Sequence, residues 1–260
     1  MNLLELVNNV IPIAQGAGER ILEVYQKEDF GVEQKSDDSP VTVADKISND
    51  FICEMLHTLT PEIPVVSEER PADDFATRSQ YDYYWLVDPL DGTKEFINRN
   101  GDFTVNIALV KKNHSILGVV FVPVQNKMYW AAKGEGAWEI SDGVTRPLKA
   151  DSFKMSQSGL AIAVTRSHFN QETANYIGGF SFPRLLPTGS SLKVIMVARG
   201  EAHIHPRFGT TMEWDTAAPQ IIVEEAGGKV IRHDGSILTY NTKDSLENPN
   251  YFVFGALEDE

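Results

Sequence analysis

The chain has 260 residues, 37 acidic against 23 basic side chains, a formal net charge of −14 and 42% hydrophobic residues. That charge opposes attraction to a polynucleotide or an anionic membrane surface, and the single cysteine, Cys53, rules out an internal disulfide or a multi-cysteine metal cluster. The apolar content suffices for a substantial core, in one large domain or two interlocked halves.

The first element is a helix over 3–25, where Leu3, Leu6, Val7, Val10, Ala14, Ala17, Ile21 and Val24 recur at mostly helical spacing and Pro12 predicts a kink. Its opening stretch has no basic leader and is interrupted by Glu5, so no secretory signal is expected. No later stretch reaches the roughly 18 apolar residues that a spanning helix needs, which predicts a soluble, cytoplasmic protein. A second helix is expected over 46–59, through Ile47, Phe51, Met55, Leu56 and Leu59, ending before Pro61. β-rich runs at 63–67, 83–88, 103–111, 115–122 and 127–132 read as one sheet. After a turn-rich segment at 141–152 come an apolar run at 159–164, a helix at 190–199, a strand near 201–204 and a helix at 215–226. Gly227 and Gly228 stop that helix, and Lys229-Val230-Ile231 opens a strand. Helices and strands alternate in both halves, which predicts stacked layers of an α/β (α+β) protein.

The chemistry concentrates at Trp85-Leu86-Val87-Asp88-Pro89-Leu90-Asp91-Gly92-Thr93, where an apolar strand runs straight into two carboxylates. Buried carboxylates are costly unless a cation neutralises them, and hard oxygen ligands suit magnesium better than zinc or copper. Asp88 and Asp91 bracket a turn stiffened by Pro89, so both can point into one site. Gly92 allows close backbone approach, and a helix starting at Thr93 would offer free amides to phosphate oxygens. An ordinary Asx turn explains the Asp-Gly pair, but not why two acids end an apolar strand with a hydroxyl next in line. Val65-Val66-Ser67-Glu68-Glu69 also ends a strand in acids, and Glu68 or Glu69 would complete a cation site. Thr42-Val43-Ala44-Asp45 and Glu213-Trp214-Asp215-Thr216-Ala217-Ala218-Pro219 each place a carboxylate at a helix start, where capping is the plain explanation. The alanines permit close packing, and Pro219 falls near the end of the first helical turn, where a missing amide costs least.

Taken together, DPLDGT at 88–93, the acids at 67–69, PVTVAD at 40–45 and WDTAAP at 214–219 resemble, in that order and over nearly the whole chain, the inositol monophosphatase superfamily of lithium-sensitive, magnesium-dependent phosphatases. Within it, Lys35-Ser36, Thr165-Arg166-Ser167-His168 and Gly189-Ser190-Ser191-Leu192-Lys193 look like the bacterial 3′(2′),5′-bisphosphate nucleotidases, which convert adenosine 3′,5′-bisphosphate, a by-product of sulfate assimilation, to AMP. The resemblance implies a layered α-β-α-β-α sandwich of the sugar-phosphatase type. It also implies two closely joined units, 1–150 with most metal ligands and 151–260 with Asp215 and the substrate contacts. Glu68, Asp88 and the Leu90 carbonyl are expected to hold one magnesium, and Asp88, Asp91 and Asp215 a second, with room for a third near Glu68 and Asp45. Thr93, oriented by Asp45, is expected to position the attacking water, and the Gly92 and Thr93 amides to hold the phosphate. Ser190, Ser191, Lys193, His168 and Arg207 are expected to meet the rest of the substrate. Where the family more usually has Gly-Pro-Thr, this chain has Gly209-Thr210-Thr211, which bears on substrate detail.

Other readings are weighed against this one. A haloacid-dehalogenase-like phosphatase has its two aspartates in an Asp-x-Asp pattern, whereas Asp88 and Asp91 are separated by Pro89 and Leu90. A non-catalytic metal- or nucleotide-binding regulator predicts lost ligands, and every expected ligand is present. Inositol 1-phosphate and fructose 1,6-bisphosphate stand as rival substrates, and 3′-phosphoadenylyl sulfate as an additional one. Cys53 reads as a packed thiol, His203 and His205 as strand residues lacking a third metal ligand, and Tyr81, Tyr83, Tyr84 and Trp85 as sheet packing. No nucleic-acid polymer is an expected partner. Loose peripheral contact with the inner membrane face and the oligomeric state are left open.

Overall fold

The computed structural model describes residues 1–34, 40–166 and 170–259. In chain order the elements are α1 (Leu3–Tyr25), the short pair β1 (Glu33–Gln34) and β2 (Pro40–Val41), α2 (Val43–Leu59), β3 (Val65–Ser67), α3 (Phe75–Arg78), β4 (Tyr83–Asp91) and α4 (Thr93–Ile97). A meander follows: β5 (Thr104–Lys111), β6 (His114–Val122), β7 (Lys127–Ala132), β8 (Ala137–Ser141) and β9 (Val144–Pro147). The second half holds β10 (Ser152–Phe153), β11 (Ala161–Thr165), α5 (Gln171–Ile177), β12 (Arg184–Thr188), α6 (Leu192–Ala198), β13 (Ile204–Arg207), α7 (Glu213–Glu225), β14 (Lys229–Arg232), β15 (Tyr251–Phe254) and β16 (Ala256–Leu257).

Strands β3 to β9 form one seven-stranded sheet in sequence order, with β3 parallel to β4 and every later pair antiparallel. Period-2 alternation gives it two apolar faces. Trp85, Val87, Val105, Ile107, Leu109, Leu117 and Val119 pack under α1 and α2. Tyr84, Leu86, Ala108, Val110, Val120 and Tyr129 face α7. α7 comes close because its contact residues are small: a Cβ built on Gly118 of β6 would lie 2.4 Å from the Ala218 carbonyl oxygen. Beyond α6 and α7 lies a second sheet of order β12-β11-β13-β15-β14, and α5 packs against its far side with Phe252, Phe254 and Ile177 in a third core. Helices, sheet, helices, sheet and helix make the five layers expected.

The boundaries differ from the sequence reading in instructive ways. α2 begins at Val43, because Thr42 is its N-cap, and α7 begins at Glu213, which places Pro219 in the second turn and not at the end of the first. There its ring leaves the Asp215 carbonyl without an intrahelical donor. α1 runs as one helix through Pro12. α6 begins only at Leu192, with Ser191 as its cap. The strand expected near 201–204 is instead Ile204–Arg207 and includes Pro206. β13 keeps step with β11 at the single pair Ile162–Ile204, so the amide that proline lacks falls where that ladder has ended. The segment read as turn-rich at 141–152 holds β9 and the start of β10.

Candidate active site

Asp88 and Asp91 are separated by an odd number of steps, so a regular strand would send them to opposite faces. The structure shows no turn here but a bulge inside β4: Asp88 pairs with Asn106 and Asp91 with Thr104, so three steps on β4 match two on β5. The extra residue brings both acids to the face that α7 covers. The bulge is held from both sides, since Asp88 Oδ1 accepts the Leu90 amide at 3.0 Å and the Ser48 hydroxyl of α2 donates to the Pro89 carbonyl at 2.8 Å.

On that face α7 contributes Asp215. Its Oδ2 accepts the Met212 amide at 2.9 Å, which caps the helix, and it comes together with the two strand acids so that one oxygen from each lies within 4.8 Å of the others. Glu68 follows β3, and its amide donates to the Val87 carbonyl at 3.2 Å, which places it beside Asp88. Burial, followed by the charges of Glu68, Asp91 and Asp215, holds the Asp88 carboxyl well above the usual range. Burial and the neighbouring Asp91 and Glu68 do the same to Asp215. Asp91 is raised by burial too, but Lys193 and the Ser191 amide, which donates to its Oδ2 at 2.5 Å, pull it back. Such a set of mutually repelling oxygen donors fits a divalent cation of the hard class.

Asp45 is both the cap its sequence suggested and something more. Its Oδ2 accepts the amide and hydroxyl of Thr42 at 2.7 and 2.6 Å, while Oδ1 accepts the hydroxyl of Thr93 at 3.1 Å. Thr93 Oγ1 also lies 3.4 Å from the Leu90 carbonyl, which ties the proposed metal carbonyl to the hydroxyl expected to handle water. Burial raises the Asp45 carboxyl, with the Thr42 bonds opposing it. Gly92 stands at φ 94°, ψ 43°, a left-handed conformation that suits glycine and turns the chain from β4 into α4.

These groups open onto a cleft of about 310 Å³ whose far wall comes from the second half. Ser190, Lys193 and Arg207 line it, together with Thr211 of the departed Gly-Thr-Thr motif. Lys193 donates to the Ser190 carbonyl at 2.5 Å, and burial pushes its ammonium down to about 8 against the pull of Asp91. Arg207 donates Nη2 to the Thr210 carbonyl at 2.7 Å, while its buried Nε finds no partner among the described residues. Ser191 also borders the cleft but is placed differently from Ser190: it is 4% exposed, and its hydroxyl is committed to Thr104 and Asn106 at 2.8 and 3.0 Å, so it braces the wall. His168 lies outside the described residues.

Among the residues of this wall that sequence reasoning missed are His205 and Tyr251. His205, set aside as a strand residue, lines the cleft with Nδ1 at 2.9 Å from the Ala163 carbonyl, and burial lowers its imidazole to about 3. Tyr251, whose phenol is raised by burial, lies beside it. The spacing of His205 and Arg207 on one strand face was the available signal. His203 precedes β13 and turns away, with Nδ1 accepting the Ala161 amide and Nε2 at 3.3 Å from Asp151, so the histidines form no metal pair.

The model of the inositol monophosphatase family matches residues 2–256. The chain belongs to the inositol monophosphatase family. Among curated members of that family, 3′(2′),5′-bisphosphate nucleotidase CysQ of Salmonella typhimurium is 42% identical over 95% of this chain and 99% of its own. The CysQ protein of Haemophilus influenzae is 36% identical over 96% and 93%. The crystal structure of CysQ from Bacteroides thetaiotaomicron, described as a bacterial member of the family, superposes with a TM-score of 0.83 at 39% identity, covering 95% of this chain and 96% of that one. A Thermotoga maritima IMPase shares the fold, with a TM-score of 0.81 at 23% identity over 97% and 92%. Enzymes of the inositol monophosphatase family are metal-dependent phosphatases, and the acid cluster lies where such chemistry needs it. Among the described residues no helix is long and apolar enough to cross a membrane.

Proposed function

We propose that this chain is a magnesium-dependent phosphatase that hydrolyses the 3′-phosphate of adenosine 3′,5′-bisphosphate to AMP and phosphate, and acts on 3′-phosphoadenylyl sulfate as well. The observation that carries the substrate is the likeness to CysQ nucleotidases over nearly the whole chain, and the three-acid cluster supports the chemistry. Glu68, Asp88, the Leu90 carbonyl, Asp91 and Asp215 would hold two magnesium ions, with Asp45 near enough to Thr93 to share in a third. Magnesium there supplies charge neutralisation and activation of water. Asp45 fixes the Thr93 hydroxyl, which orients the attacking water and relays its proton. The amides of Gly92 and Thr93 hold the phosphate being cleaved. Ser190, Lys193 and Arg207, with His168 in support, meet the nucleotide's remaining anion and sugar, and Ser191 acts through the wall it braces.

On this reading the chain divides near residue 150 into two joined units with the cleft at their seam. A cytoplasmic location goes with this reading, since the nucleotide is a by-product of sulfate assimilation. The test is phosphate release from adenosine 3′,5′-bisphosphate, inositol 1-phosphate and fructose 1,6-bisphosphate, each with magnesium, with EDTA and with added lithium. Release from the nucleotide that EDTA abolishes and lithium inhibits is expected. Preference for an inositol or sugar phosphate would discard the nucleotidase reading and keep the metal chemistry.

A further inference from the structure

Three backbone segments meet behind the acid cluster with almost no side chains between them. A Cβ on Gly92 would lie 3.1 Å from the Asp102 carbonyl oxygen and 3.2 Å from Ser190 Cβ. One on Gly189 would lie 3.0 Å from the same carbonyl oxygen and 2.6 Å from Glu95 Cγ. The turn at 91–93, the approach to β5 at 102–103 and the cleft wall at 189–191 are thus in direct contact. At such close approach there is no room for interlocking side chains, so hydrogen bonds must hold the segments in register.

Asp102 supplies a cluster of such bonds. Its Oδ2 accepts the Thr188 hydroxyl at 3.1 Å, the Gly189 amide at 3.1 Å and the Arg166 guanidinium at 2.9 Å. Its side chain is 15% exposed, against 44% for Arg166, so the carboxylate is shielded while its cation remains partly in water. Two residues past Gly189, the Ser191 amide donates to Asp91 and the Ser191 hydroxyl enters the Thr104 and Asn106 bonds. Asp102 thus joins the β12–β11 pairing and the Ser191 bonds in holding the 188–191 segment, the segment that carries the amide bound to Asp91 and leads into Ser190 and Lys193.

We propose that Asp102 is a positioning residue: it clasps the second half's 188–191 segment onto the β4 turn, and thereby sets cation affinity at Asp91 and substrate affinity at the wall together. Asp102 is not among the residues that line the cleft, so its effect is exerted through the segment it holds. The inference rests on the reading of the acid cluster as a divalent-cation site.

The test uses purified full-length chain stripped of metal. Magnesium binding is followed by titration calorimetry, with no substrate present, alongside thermal unfolding and a KM against kcat comparison for phosphate release. Asp102→Ala is expected to weaken magnesium by about tenfold, as loss of a bond behind a metal ligand does, and to raise KM, while unfolding stays a single transition. Asp102→Asn keeps an oxygen for Thr188 and Gly189 but gives up the ion pair, and should fall between Asp102→Ala and the wild type. Arg166→Ala should match it. A merely structural role lowers the active fraction, and so kcat alone. Variants with wild-type magnesium affinity and KM, whatever their kcat, would overturn the proposal. If Asp102→Ala does not fold, Asp102→Asn and Thr188→Val decide by the same two readouts. A wild-type chain that binds no magnesium brings down the metal reading and this inference with it, whereas a wild type that binds, with variants that bind equally, overturns the inference alone.

Discussion

Asp88→Asn should move stability and activity in opposite directions. Asp88 is 1% exposed, and its acid partners have oxygens within 4.8 Å. At that separation two ionised carboxylates repel by about 3 kcal/mol at an effective dielectric of about 20. Burial and mutual repulsion raise these carboxyls and so favour taking up a proton in metal-free protein, which makes the relief from removing one charge smaller than this, about 1–3 kcal/mol. Asparagine keeps the oxygen that accepts the Leu90 amide and can donate to the remaining acids. Metal-free Asp88→Asn should therefore melt several degrees above metal-free wild type, at about 2–4 °C per kcal/mol for a chain of this size. Because the folded carboxyls titrate above their unfolded values, their stability contribution is present at about pH 4 and is lost as the pH rises through the raised values. The gap between variant and wild type should thus open from pH 5 to pH 8. Magnesium should raise the melting temperature of the wild type and leave the variant unmoved, with phosphate release lowered by more than about a hundredfold. Calorimetry at both pH values, with EDTA or magnesium, checks each point. A variant that melts below the metal-free wild type and still gains stability from magnesium would refute the argument.

Lys193, held down to about 8 by burial, should give kcat/KM for a bisphosphate an alkaline limb near that pH, as the free enzyme loses its ammonium. Lys193→Met should raise KM and flatten the limb, and an unchanged limb would assign it elsewhere. His205, lowered to about 3 by burial, contributes stability that is present above about pH 6.5 and drains as the pH falls from there toward about 3. Melting temperatures for His205→Gln should accordingly slope less steeply below pH 6.5 than those of the wild type. Gly118→Ala puts a methyl 2.4 Å from the Ala218 carbonyl and 2.6 Å from Ile221 Cγ2, and overpacking of this kind costs about 1–3 kcal/mol. Since α7 must shift to admit it, magnesium affinity should fall with melting temperature, and a loss of stability alone would mean that Asp215 did not move.

The strand acids were legible because an apolar strand rarely ends in carboxylates without a reason, and Asp45 and Asp215, which read alone as caps, because the family motifs fell on the residues that converge. What the sequence hid was geometric. Nothing in Asp88-Pro89-Leu90-Asp91 distinguishes a turn from a bulge inside a nine-residue strand, because the difference lies in the pairing with Asn106 and Thr104. β12, Arg184–Thr188, is mostly exposed, contains Pro187 and lies at a sheet edge, so it shows no alternation. β15 is a four-residue run buried on both faces, too short for periodicity to tell strand from helix. Past the buried Ala137, β8 and β9 are half-buried or exposed, with a turn at Asp142 and Gly143 that dominated the local composition. The far wall of the cleft failed for a related reason: Ser190 and Ser191 are adjacent and chemically alike and both border the cleft, and only packing commits the Ser191 hydroxyl to Thr104 and Asn106.

The placement of α7 also bears on how the chain is made. Leu86, Ala108, Val120 and Tyr129 are covered on the α7 face by a helix that begins at Glu213, long after β9 ends at Pro147. On a ribosome adding about 5–20 residues per second, that face stays wet for several seconds after the sheet itself could close. A fragment released in that interval presents an oily sheet and is expected to aggregate, which makes truncation near the middle of the chain a poor way to study either half. The same delay withholds Asp215 until long after Asp88 and Asp91 have been made, so that the three acids come together only once α7 has docked on the sheet.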